Sequence, residues 1–265
     1  MKRGLTALSL HHHYLVMMVF LFVIINSLNG QKFILLDEKL KLGSTPMEAR
    51  RKGISAIGKY EFGPYKIISG KEGWTTTREK TKLFSRDTNI QSKSRKSFVF
   101  TGNDTDTVYA NISVSSDARV TEQNGWLFRE LTGWSEQIVT ESTETFIAGL
   151  ENSLDTSVWN LLLVYQMAED IDEPVSMGDL ESIHGVLTNG QSTFDIRPVF
   201  QWDNGSPSTR LKPVEGYQFV MSNETLAAVQ VLPANKMYVW IRGDLEDNLR
   251  LILAAGAAVL LVRRF

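Results

Sequence analysis

The sequence predicts a mainly β protein, an antiparallel meander that closes into a barrel of about 12 strands around a buried hydrophobic C-terminal helix. Two observations predict this fold class. Short segments rich in aromatic and β-branched residues recur between Gly- and Asn-rich turns through most of the chain. One fully apolar segment follows them at the C-terminus, and no helical periodicity is long enough to form βαβ units.

The strand-like segments extend from about residue 54 to about residue 242, and they predict about 11–14 short strands. They share a β-branched and aromatic composition and lie at residues 65–68, 97–100, 108–114, 126–128, 158–165, 193–196, 226–232 and 237–241. Pairs such as Asn124-Gly125 and Asn189-Gly190 separate them. Because Asn and Gly tolerate the positive φ of tight hairpins, consecutive segments are expected to pair as antiparallel neighbours.

The last element is predicted as a helix over residues 245–262, capped by Asp244. Its 12 residues from 251 to 262 are apolar on every side, so the helix has no face for water. Lipid and a protein interior both accept such a helix. The run is shorter than the roughly 20 residues that span a bilayer, so we favour a core helix over a membrane-anchored protein with a C-terminal transmembrane helix.

The first thirty residues have the order of a secretory signal peptide. Lys2 and Arg3 precede an apolar run at residues 14–25, and small and polar residues follow up to Gly30. We therefore expect residues 1–30 to be removed, with an uncleaved anchor as the alternative. Residues 31–53 are then an N-terminal extension, and residues 54–265 form a single barrel domain.

The location follows from the signal peptide together with the absence of cysteine. The sequence has no Cys, so folding needs no oxidation and the chain has no thiol chemistry. An exported protein of this size without disulfides suits the bacterial periplasm or the bacterial cell surface. Three of its four histidines lie at residues 11–13, inside the segment expected to be removed.

The segment at residues 226–231, the strand at 237–241 and the closing apolar helix together resemble the tubby-like superfamily, which includes the scramblase and LURP-one-related families. The resemblance depends on the order and hydrophobicity of these C-terminal elements, and the rest of the chain looks like an exported bacterial protein. It implies a closed barrel around a hydrophobic C-terminal helix. It also implies a basic surface for lipid head groups.

Charge is unevenly distributed along a chain whose net charge is only −2. Residues 31–100 contain 16 Lys and Arg against 7 acids, whereas residues 101–265 contain 10 against 23. We expect the basic strands to pair with the acidic later ones, which would neutralise most of this difference. Export and a negative net charge exclude nucleic acid as a partner.

The alternative is a basic face that survives folding. In a strand, alternate residues point to the same side, which places four candidates for an anionic ligand on one face: Trp74, Arg78, Lys80 and Lys82. The ligand would be an anionic lipid, an envelope polysaccharide or a protein partner.

Residues that carry chemistry are few. His184 is the one imidazole after residue 13, and we interpret it as an ordinary strand histidine rather than a general base. The acidic clusters at residues 104–106 and 169–174 are interpreted as solvated loops rather than Ca²⁺ sites. We expect no catalytic residue, no metal and no cofactor.

These observations favour an exported, non-catalytic β-barrel with a binding or structural role at the cell envelope. A hydrolase of envelope glycans remains the alternative from another class. It needs only two carboxylates about 5–9.5 Å apart, and spacing in the sequence does not locate such a pair.

Overall fold

The computed structural model describes residues 32–53, 57, 59–81, 87–103, 106–122, 137–153, 155, 157–168, 181–205, 214–233 and 235–263. A compact unit spans Ile34–Phe265. The predicted signal peptide, residues 1–30, lies outside the described residues and stays a prediction. The candidate ligand residue Lys82 and the acidic cluster at 169–174 also lie outside them.

Thirteen strands make up most of the described part of the chain. They are β1 (Met47–Lys52), β2 (Lys59–Phe62), β3 (Tyr65–Glu72), β4 (Thr76–Thr81), β5 (Asp87–Gly102), β6 (Asp106–Glu122), β7 (Gln137–Asn152), β8 (Val158–Ala168), β9 (Glu181–Thr188), β10 (Thr193–Val199), β11 (Gly216–Met221), β12 (Glu224–Gln230) and β13 (Met237–Ile241). Two helices accompany them in the described ranges, α1 (Glu38–Gly43) and α2 (Asp247–Arg263).

The strands form one antiparallel sheet in the order β3-β2-β1-β13-β12-β11-β10-β9-β8-β7-β6-β5-β4. Strand β3 also pairs with β5, for example Ile67 with Phe100, and this pairing closes the sheet into a barrel of 12 strands. The predicted fold class, an antiparallel meander closed into a barrel, is therefore confirmed. Strand β4 lies outside the closed ring and pairs with the first half of β5.

Helix α2 fills the barrel. Every residue from Leu251 to Val262 is buried, because large side chains of the strands surround the helix on all sides. Phe100, Phe146 and Phe219 are among these strand residues in the same core cluster. This confirms the predicted core helix and explains why the segment has no polar face. Among the described residues, no helix combines the length and the hydropathy needed to span a bilayer.

The beginning of α2 differs from the prediction. Asp244 was expected to cap a helix that starts at residue 245, but the helix starts at Asp247. The Asp244 carboxylate instead accepts hydrogen bonds from the Arg242 guanidinium, with Nε to Oδ1 at 2.9 Å. This ion pair keeps Asp244 in the loop after β13, and Arg250 on the first turn of α2 pairs with Asp247.

Residues 34–53 belong to the compact unit, although the sequence suggested an extension that precedes the barrel. Strand β1 pairs with β13 on one side and with β2 on the other, so it is part of the wall. Before β1, the short helix α1 packs its Leu40 side chain out of contact with water. Lys39 on α1 forms a 2.8 Å ion pair with Glu224 on β12, which ties the helix to the barrel.

Candidate anionic-ligand surface

The predicted basic face lies on the hairpin of β4 and β5. Thr76 opposes Lys93 and Arg78 opposes Gln91 in the antiparallel register, so these side chains share one face of the sheet. On the same strand β5, Phe98 and Phe100 have the opposite parity and point into the buried core. The face with Arg78 and Lys93 is therefore the outer surface.

A groove of about 750 Å³ runs along this surface. It is lined by Gly73, Trp74, Thr76, Arg78, Gln91, Lys93, Arg95, Ser113 and Ser115. Trp74 is 95% exposed and forms one side of the groove. The hydroxyl and amide groups among these residues supply hydrogen-bond donors and acceptors, while Trp74 supplies a flat aromatic surface.

Gly73 sets the position of Trp74. The Gly73 N–H donates a 2.7 Å hydrogen bond to the Arg95 carbonyl oxygen. A Cβ atom at residue 73 would lie 3.0 Å from that same oxygen, closer than side chains normally approach a backbone atom. The absence of a side chain therefore lets the bend between β3 and β4 sit against β5, which brings Trp74 next to Arg95.

The cations of the groove keep their charge available. Within the described part of the chain, Arg78, Lys93 and Arg95 form no ion pair. The described lining of the groove also contains no carboxylate. Three positive charges therefore converge beside one exposed tryptophan, and this arrangement attracts an anion.

Lys80 belongs to a neighbouring hollow. That hollow, about 560 Å³ in volume, also contains Asp117, Arg119 and Glu141, so positive and negative groups alternate in it. The expected neutralisation by later, acidic strands therefore holds around Lys80. It does not hold in the same way around Arg78, because Arg78 opposes the neutral Gln91 and the outward carboxylate of that row, Asp117, lies two strands away on β6.

The structure thus brings together two of the four predicted residues, Trp74 and Arg78, and adds Lys93 and Arg95. The sequence contained a signal for both additions, since residues 93 and 95 alternate with the same period as 78 and 80. What it did not contain was the register between β4 and β5. Residues 82–86, which join the two strands, are not described.

His184 lies on the outer surface of β9, opposite Val164 on β8. It shares a hollow of about 340 Å³ with Asp195 and Arg197, which form a 3.5 Å ion pair with each other. A catalytic triad also requires a nucleophilic hydroxyl or thiol, and the described lining of this hollow has neither. The described lining of this hollow therefore gives His184 no nucleophile with which to form a triad.

Another hollow, about 560 Å³ in volume, contains a pair of acidic residues, Glu48 and Glu61. Each of the two carboxylates is already engaged, Glu48 with Arg50 at 2.8 Å and Glu61 with Lys52 at 2.6 Å. A glycosidase needs one carboxyl group in an apolar setting so that it can act as an acid, and these two are partly exposed and ion-paired.

Metal-binding arrangements are absent from the part of the chain that the structure describes, where no three His, Cys, Asp or Glu residues cluster. Of the acidic segment 104–106, only Asp106 is described, at the start of β6, where its carbonyl oxygen accepts a 2.9 Å hydrogen bond from the Thr101 hydroxyl. Residues 169–174 lie outside the described residues, so the loop interpretation stays a prediction there.

A polar cluster closes the barrel at the C-terminal end of α2. Arg263 donates to Glu144 on β7 at 2.7 Å and to the Tyr217 hydroxyl on β11 at 2.8 Å. Burial raises the pKa of the Tyr217 phenol. Burial lowers the pKa of Arg263 while Tyr217 and Glu144 raise it, and the net shift is upward. These contacts hold the C-terminal end of α2 against β7 and β11.

No protein-family model, curated protein or solved structure matches the chain. Function is therefore inferred from the geometry and the charge of this surface.

Proposed function

We propose that this protein is an exported, non-catalytic β-barrel that binds an anionic component of the cell envelope with its outer surface. The observation that carries the proposal is the groove in which Arg78, Lys93 and Arg95 stand without carboxylate partners beside the exposed Trp74. Cations without carboxylate partners beside an exposed aromatic side chain produce a local positive potential, which favours an anionic ligand.

The interior of the barrel supports an outer binding surface. Barrels that hold a small ligand do so in a central cavity, whereas α2 occupies that space here. The hollows that contain Trp74, Lys80, Glu48 and His184 all lie on the outside of the barrel wall. A ligand therefore meets side chains of the outward parity, and β4 and β5 contribute most of those in the groove.

Export is supported by the sequence alone. The charged start, the apolar run at residues 14–25 and the small residues up to Gly30 match a signal peptide. In the periplasm or on the cell surface, anionic lipids, acidic polysaccharides and acidic proteins are the available ligands.

The test has two parts. Full-length chain is expressed in a Gram-negative host, and mass spectrometry of the periplasmic fraction should find an N-terminus at Gln31. The mature protein should then cosediment with isolated cell envelopes at low salt and dissociate at high salt, because salt screens the charges of the groove. Arg78→Glu should weaken cosedimentation, and Lys236→Glu, at an exposed turn outside the groove, should not. Retention in the cytoplasm, or cosedimentation that neither salt nor Arg78→Glu changes, would contradict the proposal.

A further inference from the structure

We infer that the groove binds an acidic polysaccharide, with Trp74 packed on a sugar ring and the three cations on its carboxylate or sulfate groups. This inference rests on the proposed function and narrows it to one class of ligand. It follows from which groups line the groove, how far apart the cations are and what shape the groove has.

The lining contains the groups that a charged sugar chain requires. Arg78, Lys93 and Arg95 supply positive charge, and arginine binds carboxylate and sulfate groups through paired N–H donors. Thr76, Gln91, Ser113 and Ser115 supply hydroxyl and amide groups that can donate to and accept from sugar hydroxyls. The aromatic face of Trp74 offers the apolar contact that the C–H face of a sugar ring can cover.

The spacing of the cations fits a polymer better than a single small anion. Lys93 and Arg95 are two residues apart on β5, which corresponds to about 7 Å along the strand. Arg78 opposes Gln91, the next outward residue of β5, so it extends the row of charge in the other direction. Three cations arranged along a groove can each bind a different charged group of a chain.

The shape of the patch disfavours a bilayer. Proteins that bind a membrane surface usually present several protruding apolar or aromatic side chains. In the described lining of the groove, Trp74 is the one large apolar side chain, and it is 95% exposed. Ile147, which lies across from Ser113 on β7, is less exposed than Trp74, at 45%. A chain can also lie along Ser113 and Ser115, whose hydroxyl groups line the groove.

The experiment measures binding of the purified mature protein to three probes by isothermal titration calorimetry. The probes are polygalacturonate, neutral dextran and vesicles of pure phosphatidylglycerol. We expect binding to polygalacturonate, no binding to dextran, and an affinity for polygalacturonate that falls as salt is added. Trp74→Ala and Arg95→Glu should each weaken this affinity about tenfold or more.

Matched variants control for general effects. Tyr109→Ala removes another exposed aromatic side chain of the outer surface, and Lys236→Glu reverses an exposed charge outside the groove. Both should bind polygalacturonate as the wild type does. Because all four substituted side chains are exposed, thermal unfolding should be nearly unchanged in each variant, which separates loss of binding from loss of folding.

Four outcomes would overturn the inference, and they differ in whether they also contradict the proposed function. Binding to vesicles alone, weakened by Trp74→Ala and Arg95→Glu, would retain the proposed function and replace the polysaccharide with a lipid. Equal binding to dextran and polygalacturonate, or binding that neither groove variant changes, would remove the groove as an anion site. Binding to none of the probes would overturn the inference, and the cosedimentation of the protein with cell envelopes would then decide the proposed function separately.

Discussion

Individual buried polar residues join parts of the chain that are far apart in sequence. Gln230 is fully buried on β12 and accepts a 3.1 Å hydrogen bond from the Ile34 N–H through Oε1. Its Nε2 donates a 2.8 Å hydrogen bond to the Lys236 carbonyl oxygen. One side chain therefore connects the beginning of the compact unit to the loop before β13. Nothing near residue 230 in the sequence indicates this role, because the Ile34 contact is 196 residues away.

Replacing Gln230 with Leu should destabilise the protein. The substitution leaves the buried Ile34 N–H and the partly buried Lys236 carbonyl oxygen without their partner, and a buried polar group left unpaired costs about 1–3 kcal/mol. Chemical denaturation should therefore show a free energy of unfolding lower by about 2 kcal/mol or more. Gln218→Leu is the matched control, because Gln218 donates to the Leu35 carbonyl oxygen at 2.9 Å in an exposed setting. An equal loss in both variants would contradict the explanation.

The Tyr217 phenol should make the protein less stable at alkaline pH. Its pKa is raised by burial from 10.0, so as the pH rises past about 10 the unfolded chain loses this proton first and the unfolded state is favoured. The stabilising contribution of the protonated Tyr217 phenol should be complete below pH 10. Above pH 10, the free energy of unfolding should fall until the phenol of the folded protein also ionises. Tyr217→Phe should flatten this decline in urea denaturation, although Tyr65, whose pKa burial also raises, should leave part of it. Identical slopes for variant and wild type would contradict the assignment.

At the scale of elements, α2 was predictable because its composition is extreme. A segment that is apolar on all sides and too short for a bilayer has one remaining environment, the interior of a barrel. The small residues of α2 allow the surrounding strands to pack close to the helix. A Cβ atom at Gly256 would lie 3.2 Å from the Phe219 ring, so the glycine lets the helix pass close to β11. The start of α2 was not predictable, since the pairing of Arg242 with Asp244 competes with the cap.

The packing of α2 predicts a large effect for a cavity at its centre. Leu253 is fully buried in the core cluster, so Leu253→Ala should lower the free energy of unfolding by about 2–5 kcal/mol in chemical denaturation. Leu42→Ala is the matched control on α1, where the side chain is 84% exposed, and it should change stability by less than about 0.5 kcal/mol. Comparable small losses in both variants would mean that α2 is not packed as described.

The β4–β5 hairpin shows where sequence patterns stop being sufficient for the site. Alternation correctly indicated that Arg78 and Lys80 point the same way, but it does not fix which residues of the next strand lie beside them. The register adds Lys93 and Arg95 to Arg78, and it places Lys80 in a row with Asn89 and Arg119. Local pattern therefore predicted the charge of the face, and pairing decided which charges remain free.

Across the whole molecule, the residues that stabilise the fold and the residues that line the groove lie on opposite sides of the barrel wall. The inward residues of the strands and α2 form one apolar core, and the outward residues of β4 and β5 form the groove. Substitutions in the groove should therefore change binding without changing stability, and substitutions around α2 should do the reverse. The sequence predicted the barrel and its helix. It did not predict β1 as a strand of the wall, because Met47–Lys52 is polar and charged and has one buried residue, Ala49.

The most direct test of this account is to remove α2. A chain that ends at Glu246 keeps every strand but leaves Phe100, Phe146 and Phe219 without the helix that they pack around. We predict that this chain aggregates, or shows neither a cooperative thermal transition nor a near-UV circular dichroism signal, whereas a chain that ends at Arg263 unfolds like the full-length protein. A soluble chain ending at Glu246 that unfolds cooperatively and keeps its near-UV signal would contradict the claim that the barrel is built around its C-terminal helix.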